Sequence, residues 1–250
     1  MNPLVGIVAF VSEYLDSGLG MGYGTVLASL LIIMGYEPLK VVPAILISQL
    51  VTDIAACVLH HKLDNVDFRI GAADFKAALI LGGIGSIGVI IAVITAIRIP
   101  KHILSFYIGF LVFAMGVLVI ITIKRPIRFS WPRLMGISLL ASFNKGISGG
   151  GYGPLVMGGQ MLSGIHVKNA VGITAFAEAI TCFVGFTIYL VSGKAIDWKL
   201  IAILVSCAVF AVPLAAFTVR KAPSDRLKVY VGILMAVLGL FTLFKTSSGS

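Results

Sequence analysis

The sequence predicts an all-α polytopic membrane protein made of two inverted repeats, each with four hydrophobic segments. The first observation is composition: of 250 residues, 59% are hydrophobic and only 12% are charged, and the mean hydropathy is +1.07. Soluble domains carry about 25% charged residues, roughly twice that fraction. The second observation is length, because apolar runs such as 77–97 and 103–123 match the ~20 residues that cross a bilayer core. The third is an internal repeat.

The internal repeat is visible when the C-terminal half is laid on the N-terminal half. At an offset of 129 residues, Gly22-Tyr23-Gly24 matches Gly151-Tyr152-Gly153, and Gln49 lies opposite Glu178. At an offset of 123 residues, Pro100 matches Pro223 and Gly116 matches Gly239. Matches in two collinear blocks indicate a duplicated unit. We predict an N-terminal transmembrane repeat at 1–124, a C-terminal transmembrane repeat at 133–245, and a tail at 246–250 to which we assign no structure.

Each repeat holds four hydrophobic segments. They are 4–34, 41–59, 75–97 and 103–123 in the first repeat, and 133–162, 169–191, 198–219 and 227–244 in the second. The first segment of each repeat has about thirty residues, which is too long for one straight crossing. A Gly-rich stretch interrupts it, so it is either one broken span or a re-entrant hairpin of two half-helices.

The distribution of basic residues favours re-entrant hairpins. If the first and fifth segments enter and return, the loops 60–76, 124–133, 166–168 and 220–228 share one side and hold twelve of the nineteen Lys and Arg. The rule that basic residues face the cytoplasm then places these loops inside and both termini outside the plasma membrane. Three true crossings per repeat make the repeats inverted. The formal charge of +9 therefore reflects topology and anionic lipid, and we expect no nucleic-acid binding.

The two Gly-rich breaks, 144–154 and 16–24, predict a transport site. A helix interrupted at membrane depth survives where its freed backbone lines a cavity or is buried, and paired breaks indicate a binding site. The half-helix after each break begins with unpaired N–H groups and the positive end of the helix dipole, which attract anions. Two inverted copies would direct two such ends at one anion. The alternative is that the glycines only allow close helix packing.

Candidate substrate-binding residues lie in and around the two breaks. They are Asn144, Lys145, Ser148, Gly149, Gly150, Gly151 and Tyr152 in the second repeat, Gly20, Gly22, Tyr23 and Gln49 in the first, and Thr174 on the following helix. Lys145 is notable because a cation within the membrane must pair with a carboxylate or with an anionic substrate. The alternatives are that the lysine extends its charged end to the membrane surface or that it forms a structural pair with Asp53.

Glu178 and Asp53 are candidates for proton coupling. Thr174, Glu178 and Thr181 recur at i, i+4 and i+7, so they share one helix face, which should point inward. A buried carboxylate in a membrane protein is a common proton carrier, and the alternative is a hydrogen bond between helices. Glu13 and Asp16 on the first half-helix are weaker candidates.

The glycine breaks with the helix that follows each resemble the sulfite exporter TauE/SafE family, most specifically at Gly146–Pro154, Gly164 and Asn169–Thr174. The first copy departs from the pattern, with Met21 inside the glycine run and Thr25 opposite Pro154. The resemblance implies transport of a small inorganic or organosulfur anion, such as sulfite or a sulfonate, across the plasma membrane. We expect a secondary transporter that works by alternating access, with possible proton coupling, and no cofactor, metal or enzymatic activity.

Two other functions fit parts of the sequence. A passive anion channel could use the same broken helices, although buried carboxylates hinder passive anion flow. Gly146-Ile147-Ser148-Gly149 also matches the G-x-S-G pattern of intramembrane serine proteases. That chemistry needs a histidine as general base, and no histidine lies in a later hydrophobic segment.

Overall fold

The structure is a computed structural model that describes residues 3–122, 130–162, 165–193, 196–220 and 225–248. Within these ranges the regular elements are all helices: α1 (Pro3–Leu19), α2 (Tyr23–Ile33), α3 (Pro38–Lys62), α4 (Ala73–Ala96), α5 (Lys101–Thr122), α6 (Trp131–Ser148), α7 (Tyr152–Leu162), α8 (Val167–Val191), α9 (Trp198–Val209), α10 (Ala211–Arg220) and α11 (Asp225–Ser248). Among the described residues, five stretches are long and apolar enough to cross a membrane; they lie in α3, α4, α5, α8 and α9–α10. The predicted all-α membrane fold is confirmed.

Each predicted hydrophobic segment corresponds to a helix or a helix pair. The first segment of each repeat is a pair, α1–α2 and α6–α7, divided at the predicted glycine break. One further division was not predicted: the segment 198–219 splits at Phe210 into α9 and α10. Pro213 accounts for it, since proline lacks the N–H that would bond the carbonyl of Val209 and clashes with it.

Helices α6 and α7 form a hairpin that enters and returns at one end of the molecule. Both α6 and α8 run parallel to α4, whereas α7 packs antiparallel on α6. The contacts that fix these directions are Ser138 with Leu81 and Gly146 with Val89 for α6, Ile180 with Gly82 and Gly185 with Val89 for α8, and Gly159 with Ile137 for α7. Because α6 and α8 begin at the same end, α7 must return the chain to that end. We call this end, where α4, α6 and α8 begin, the A end.

Helices α1 and α2 form the corresponding hairpin from the opposite end, the B end, where α3 begins. Helix α3 is antiparallel to α8, and α1 runs parallel to α9–α10, which finishes beside the end of α3. The contacts are Gln49 with Glu178 and Leu46 with Gly185 for α3, Gly6 with Cys207 and Gly18 with Ala215 for α1, and Asn65 with Ala216 for α10. Since α1 and α3 both begin at the B end, α2 returns to it.

Helices α5 and α11, the last of each repeat, pack against each other in opposite directions. Gly109 lies against Leu243, and Gly239 lies against Phe113. Corresponding helices that run antiparallel are what two inverted units require. Helix α5 begins at the B end, where Lys101 pairs with Glu37 (2.8 Å) and holds the pKa of that carboxyl below its usual value. Helix α11 therefore ends at the B end, so both ends of the described chain lie there.

The hairpin arrangement agrees with the one that the basic residues favoured, in which both termini share one side. The loops 123–129 and 221–224, which carry several of the counted basic residues and the matched Pro223, lie outside the described residues, as do 194 and 249–250. Which end faces the cytoplasm stays a prediction. Among the described residues both repeats contribute to the main buried apolar cluster, in which residues such as Leu27 and Ile45 pack with Val89 and Leu204.

Candidate functional site

The two glycine breaks use the same backbone turn. Gly20 and Gly22 have φ angles of 71° and 131°, and Gly149 and Gly151 have φ angles of 76° and 83°. Residues with a Cβ rarely adopt these positive values, so glycine is required at all four positions. The two pairs are separated by 129 residues, as in the sequence repeat.

The breaks meet each other back to back. Gly24 lies against the carbonyl of Gly149, and Gly153 lies against the carbonyl of Gly20. The two contacts are equivalent by the repeat, because Gly153 is the equivalent of Gly24 and Gly20 is the equivalent of Gly149. Such a reciprocal pair of contacts is what a two-fold axis produces. A Cβ on Gly150 would lie 2.6 Å from the backbone of Thr25. The glycines thus do allow close packing, between the breaks themselves.

The backbone N–H groups at the breaks bond to side chains in this structure. Tyr23 N donates to Asp16 Oδ1 (3.2 Å), Gly150 N donates to Ser148 Oγ (3.0 Å), and Gly151 N donates to Thr25 Oγ1 (3.0 Å). A carboxylate therefore occupies the anion position at the start of α2. A substrate anion would have to replace these side chains to reach the N–H groups.

Lys145 lies in the last turn of α6 and is fully buried. Its Nζ donates to Glu178 Oε1 (2.5 Å) and to Gln49 Oε1. The expected structural partner, Asp53, is not the one observed. Asp53 lies one helical turn beyond Gln49 on α3, and its Oδ2 has no hydrogen-bond partner among the described residues.

Four side chains meet at the two-fold axis: Asp16, Gln49, Lys145 and Glu178, here called the central quartet. Gln49 Nε2 donates to Glu178 Oε1 (2.9 Å) and to Asp16 Oδ2 (3.2 Å). Gln49 and Glu178 are equivalent by the repeat, and so are Asp16 and Lys145. The first equivalence was predicted and the second was not, because the sequence comparison placed Asp16 opposite Asn144. The axis thus brings one equivalent pair, Gln49 and Glu178, into direct contact.

The quartet is unlike on its two sides, because three of the carboxylates at the centre have no acidic equivalent in the other repeat. These first-repeat carboxylates and their second-repeat equivalents are Glu13 and Ser142, Asp16 and Lys145, and Asp53 and Cys182. All of these carboxylates are buried, and so are Lys145 and Glu178. The first repeat therefore contributes three carboxylates, whereas the second contributes the buried cation and the one carboxylate, Glu178, that pairs with it.

This two-fold arrangement is accompanied by a family match over nearly the whole chain. The family model "Sulfite exporter TauE/SafE" matches residues 5–242, which include both repeats. The chain belongs to the TauE/SafE family. It is also similar to "Probable membrane transporter protein YtnM" of Bacillus subtilis (strain 168), with 26% identity over 249 residues, 94% of this chain and 80% of that protein. No solved structure matches it. This TauE/SafE protein is a multi-pass membrane transporter.

Other predicted site residues of this TauE/SafE transporter bond away from the quartet. Asn144 Oδ1 accepts a hydrogen bond from Tyr107 (2.5 Å), and Thr174 Oγ1 accepts one from Gln160 (2.8 Å). Tyr23 and its equivalent Tyr152 are both fully buried beside the breaks. Their roles in binding stay predictions.

Asp16, one of the weaker candidates from the sequence, lies in the central quartet, and the other, Glu13, lies on the same helix. Glu13 accepts hydrogen bonds from Ser17 (2.5 Å) and Thr52 (3.0 Å). The signal was present, since Glu13 and Asp16 are three residues apart on one face of an apolar helix that ends at a break. Extending the offset of 129 upstream would have paired Asp16 with Lys145.

Proposed function

We propose that this protein is a secondary carrier that moves a small sulfur-containing anion, sulfite or an organosulfonate, across the plasma membrane by alternating access. The family description supports the substrate class, and the inverted hairpins that meet at a two-fold axis support the mode of transport. The observation that carries the proposal is the buried pair of Lys145 and Glu178 at that axis.

Lys145 can bind an anion only after it loses its present partner. Its Nζ lies 2.5 Å from Glu178 Oε1, and both side chains are shielded from water. A buried charge without a partner is costly, so the lysine exchanges one negative partner for another. A proton on Glu178 would remove the negative charge of the carboxylate and free the lysine for the substrate. Proton and anion then bind to the same form and move in the same direction.

The predicted residues around Lys145 supply the neutral donors that an oxyanion needs. Gln49 already donates to Glu178 and would turn to the substrate once that carboxylate is neutral. The N–H groups of Gly150 and Gly151 become donors to the anion if the Ser148 and Thr25 hydroxyls release them. The helix dipole of α7 adds positive potential at the same place.

Neither alternative from the sequence has a comparable observation in its favour. The buried carboxylates beside Lys145 would oppose the passive flow of anions through a channel. The Ser148 hydroxyl bonds to the backbone of Asn144 and Gly150, and none of these partners is a general base. We propose a carrier, with both termini outside the cell.

The test is anion flux in proteoliposomes that contain the purified full chain. Sulfite, thiosulfate, methanesulfonate and sulfate are compared, with a pH gradient imposed and the membrane potential clamped at zero. We expect saturable accumulation of sulfite or methanesulfonate driven by the proton gradient. Glu178→Gln should abolish accumulation and retain exchange of internal for external anion, because a permanently neutral residue lets the anion bind but carries no proton.

The matched control is Glu37→Gln, which removes one carboxylate at the exposed B end. It should accumulate anion as the native protein does. Proton-driven accumulation by Glu178→Gln would refute the coupling role of this residue. Flux that does not saturate and ignores the proton gradient would indicate a channel.

A further inference from the structure

Three carboxylates meet beside the central quartet. The carboxylate oxygens of Asp16, Asp53 and Glu178, one from each residue, lie within 4.8 Å of one another. None of the three residues is more than 7% exposed. They come from α1, α3 and α8, so both repeats contribute. We call them the acidic triad.

The acidic triad has more carboxylates than there are cations bonded to it. Among the described residues, Lys145 is the cation that bonds to the triad, through Glu178. Asp16 receives neutral donors, the N–H of Tyr23 and the amide of Gln49. Asp53 Oδ2 is buried without any hydrogen-bond partner in the described part of the chain. Two carboxylates of the triad therefore have no counter-ion.

Bare carboxylates at membrane depth are too costly to persist, so the triad must be neutralised, either by protons or by a bound cation. The ligand atoms are all carboxylate oxygens, which suit hard cations rather than soft transition metals. Oxygens that bind one ion at the 2.3–2.6 Å typical of calcium lie at most about 5 Å apart, so the observed spacing fits an ion of that size. The positive charge of Lys145 repels a divalent ion twice as strongly as a monovalent one. Sodium combines the suitable size with the single charge.

We propose that the acidic triad is a sodium site, formed by Asp16 and Asp53 of the first repeat and Glu178 of the second. The anion would bind beside it, at Lys145, so that the two ions occupy one centre. A role for sodium as a coupling ion rests on the proposed function. The binding of sodium to the triad is independent of that function.

Sodium binding is measured on the purified full chain in detergent, at fixed pH and ionic strength. Thermal unfolding is compared in sodium chloride, potassium chloride and choline chloride. A ligand of the folded state stabilises it, and sodium at about ten times its Kd should raise the Tm by about 3–5 °C over choline. Potassium should give a smaller rise. Direct binding of ²²Na⁺ to the native protein should saturate and be displaced by unlabelled sodium.

Asp53→Asn should abolish the sodium-dependent rise in Tm and the bound ²²Na⁺. Glu37→Gln, the same change at the exposed B end, should keep both. Because Asp53→Asn could fail to fold, the comparison of salts on the native protein stands as a test by itself. Equal Tm values in sodium and choline, with stabilisation by lower pH alone, would show that protons fill the triad and would overturn the proposal. Stabilisation by micromolar calcium and not by sodium would overturn it as well.

Flux separates this inference from the proposed function. Sodium binding in a protein that moves none of the tested anions would leave the site standing and refute the carrier. Proton-driven anion accumulation by a protein that binds no sodium would support the carrier and refute the sodium site. If both stand, an inward sodium gradient should raise sulfite accumulation several-fold, and Asp53→Asn should remove that increase.

Discussion

Replacing Gly150 by alanine tests whether the close contact of the two breaks holds the site together. A Cβ at this position would lie 2.6 Å from both Cα and N of Thr25, whereas ordinary contacts are 3.4–4 Å. The overlap is with backbone atoms of the opposite break, which cannot move aside as the end of a side chain can. Overpacking of this kind costs about 1–3 kcal/mol. For a chain of this size the Tm should fall by roughly 3–10 °C.

Gly158→Ala is the matched control. Gly158 lies within α7, and a Cβ there would meet nothing within 4 Å. Alanine is favoured over glycine inside a helix by about 0.5–1 kcal/mol, so the Tm of this variant should rise slightly. Gly150 has no positive φ, unlike its neighbours Gly149 and Gly151, so the substitution tests space alone.

Both variants are assayed by thermal unfolding in detergent and by anion flux in proteoliposomes. Gly150→Ala should lose flux even below its Tm, because separating the breaks moves the N–H groups of α7 relative to Lys145. If Gly150→Ala matches Gly158→Ala in both Tm and flux, the back-to-back contact does not support the site, and the inferred role of the glycines is wrong.

Two further predictions concern buried hydrogen bonds. Lys145→Met should be more destabilising than the double variant Lys145→Met, Glu178→Gln. The single change leaves a buried carboxylate without its cation, which costs about 3–5 kcal/mol of stability. Equal losses of Tm in both variants would show that the two residues are not coupled. Tyr189→Phe should cost about 1 kcal/mol, because the hydroxyl of Tyr189 donates to the carbonyl of Gly146 (3.0 Å) at the tip of α6. Tyr36→Phe, half-buried at the B end, is its control, and equal Tm values in the two variants would contradict the prediction.

The all-α membrane fold was predictable because hydrophobic length and glycine breaks are local signals, and the repeat can be read by comparing the two halves of the chain. The sequence predicted the outer bounds of the eight hydrophobic segments to within a few residues, and it paired Gln49 with Glu178 as equivalents, which are in contact. The sequence did not identify the partner of Lys145. Several carboxylates lie in neighbouring apolar segments, and spacing along the chain does not say which of them contacts the lysine. The division at Phe210 was readable from Pro213, whereas the bond between Gly151 and Thr25 depends on the contact of two breaks that are distant in sequence.

The repeat extends to individual hydrogen bonds, which makes its departures informative. His60 Nε2 donates to the carbonyl of Ser17 (3.1 Å), and Tyr189 makes the equivalent bond to Gly146, 129 residues on in both partners. These bonds lie at the A end and the B end, so each hairpin tip is held from the opposite end of the molecule by the same kind of contact. One departure lies at the axis itself, where Asp16 of the first repeat corresponds to Lys145 of the second. A strictly symmetric centre would hold the same charge on both sides and bind a single sign of ion, whereas this one has a carboxylate where the other repeat has a lysine. We propose that this difference lets one centre hold an anion together with a cation.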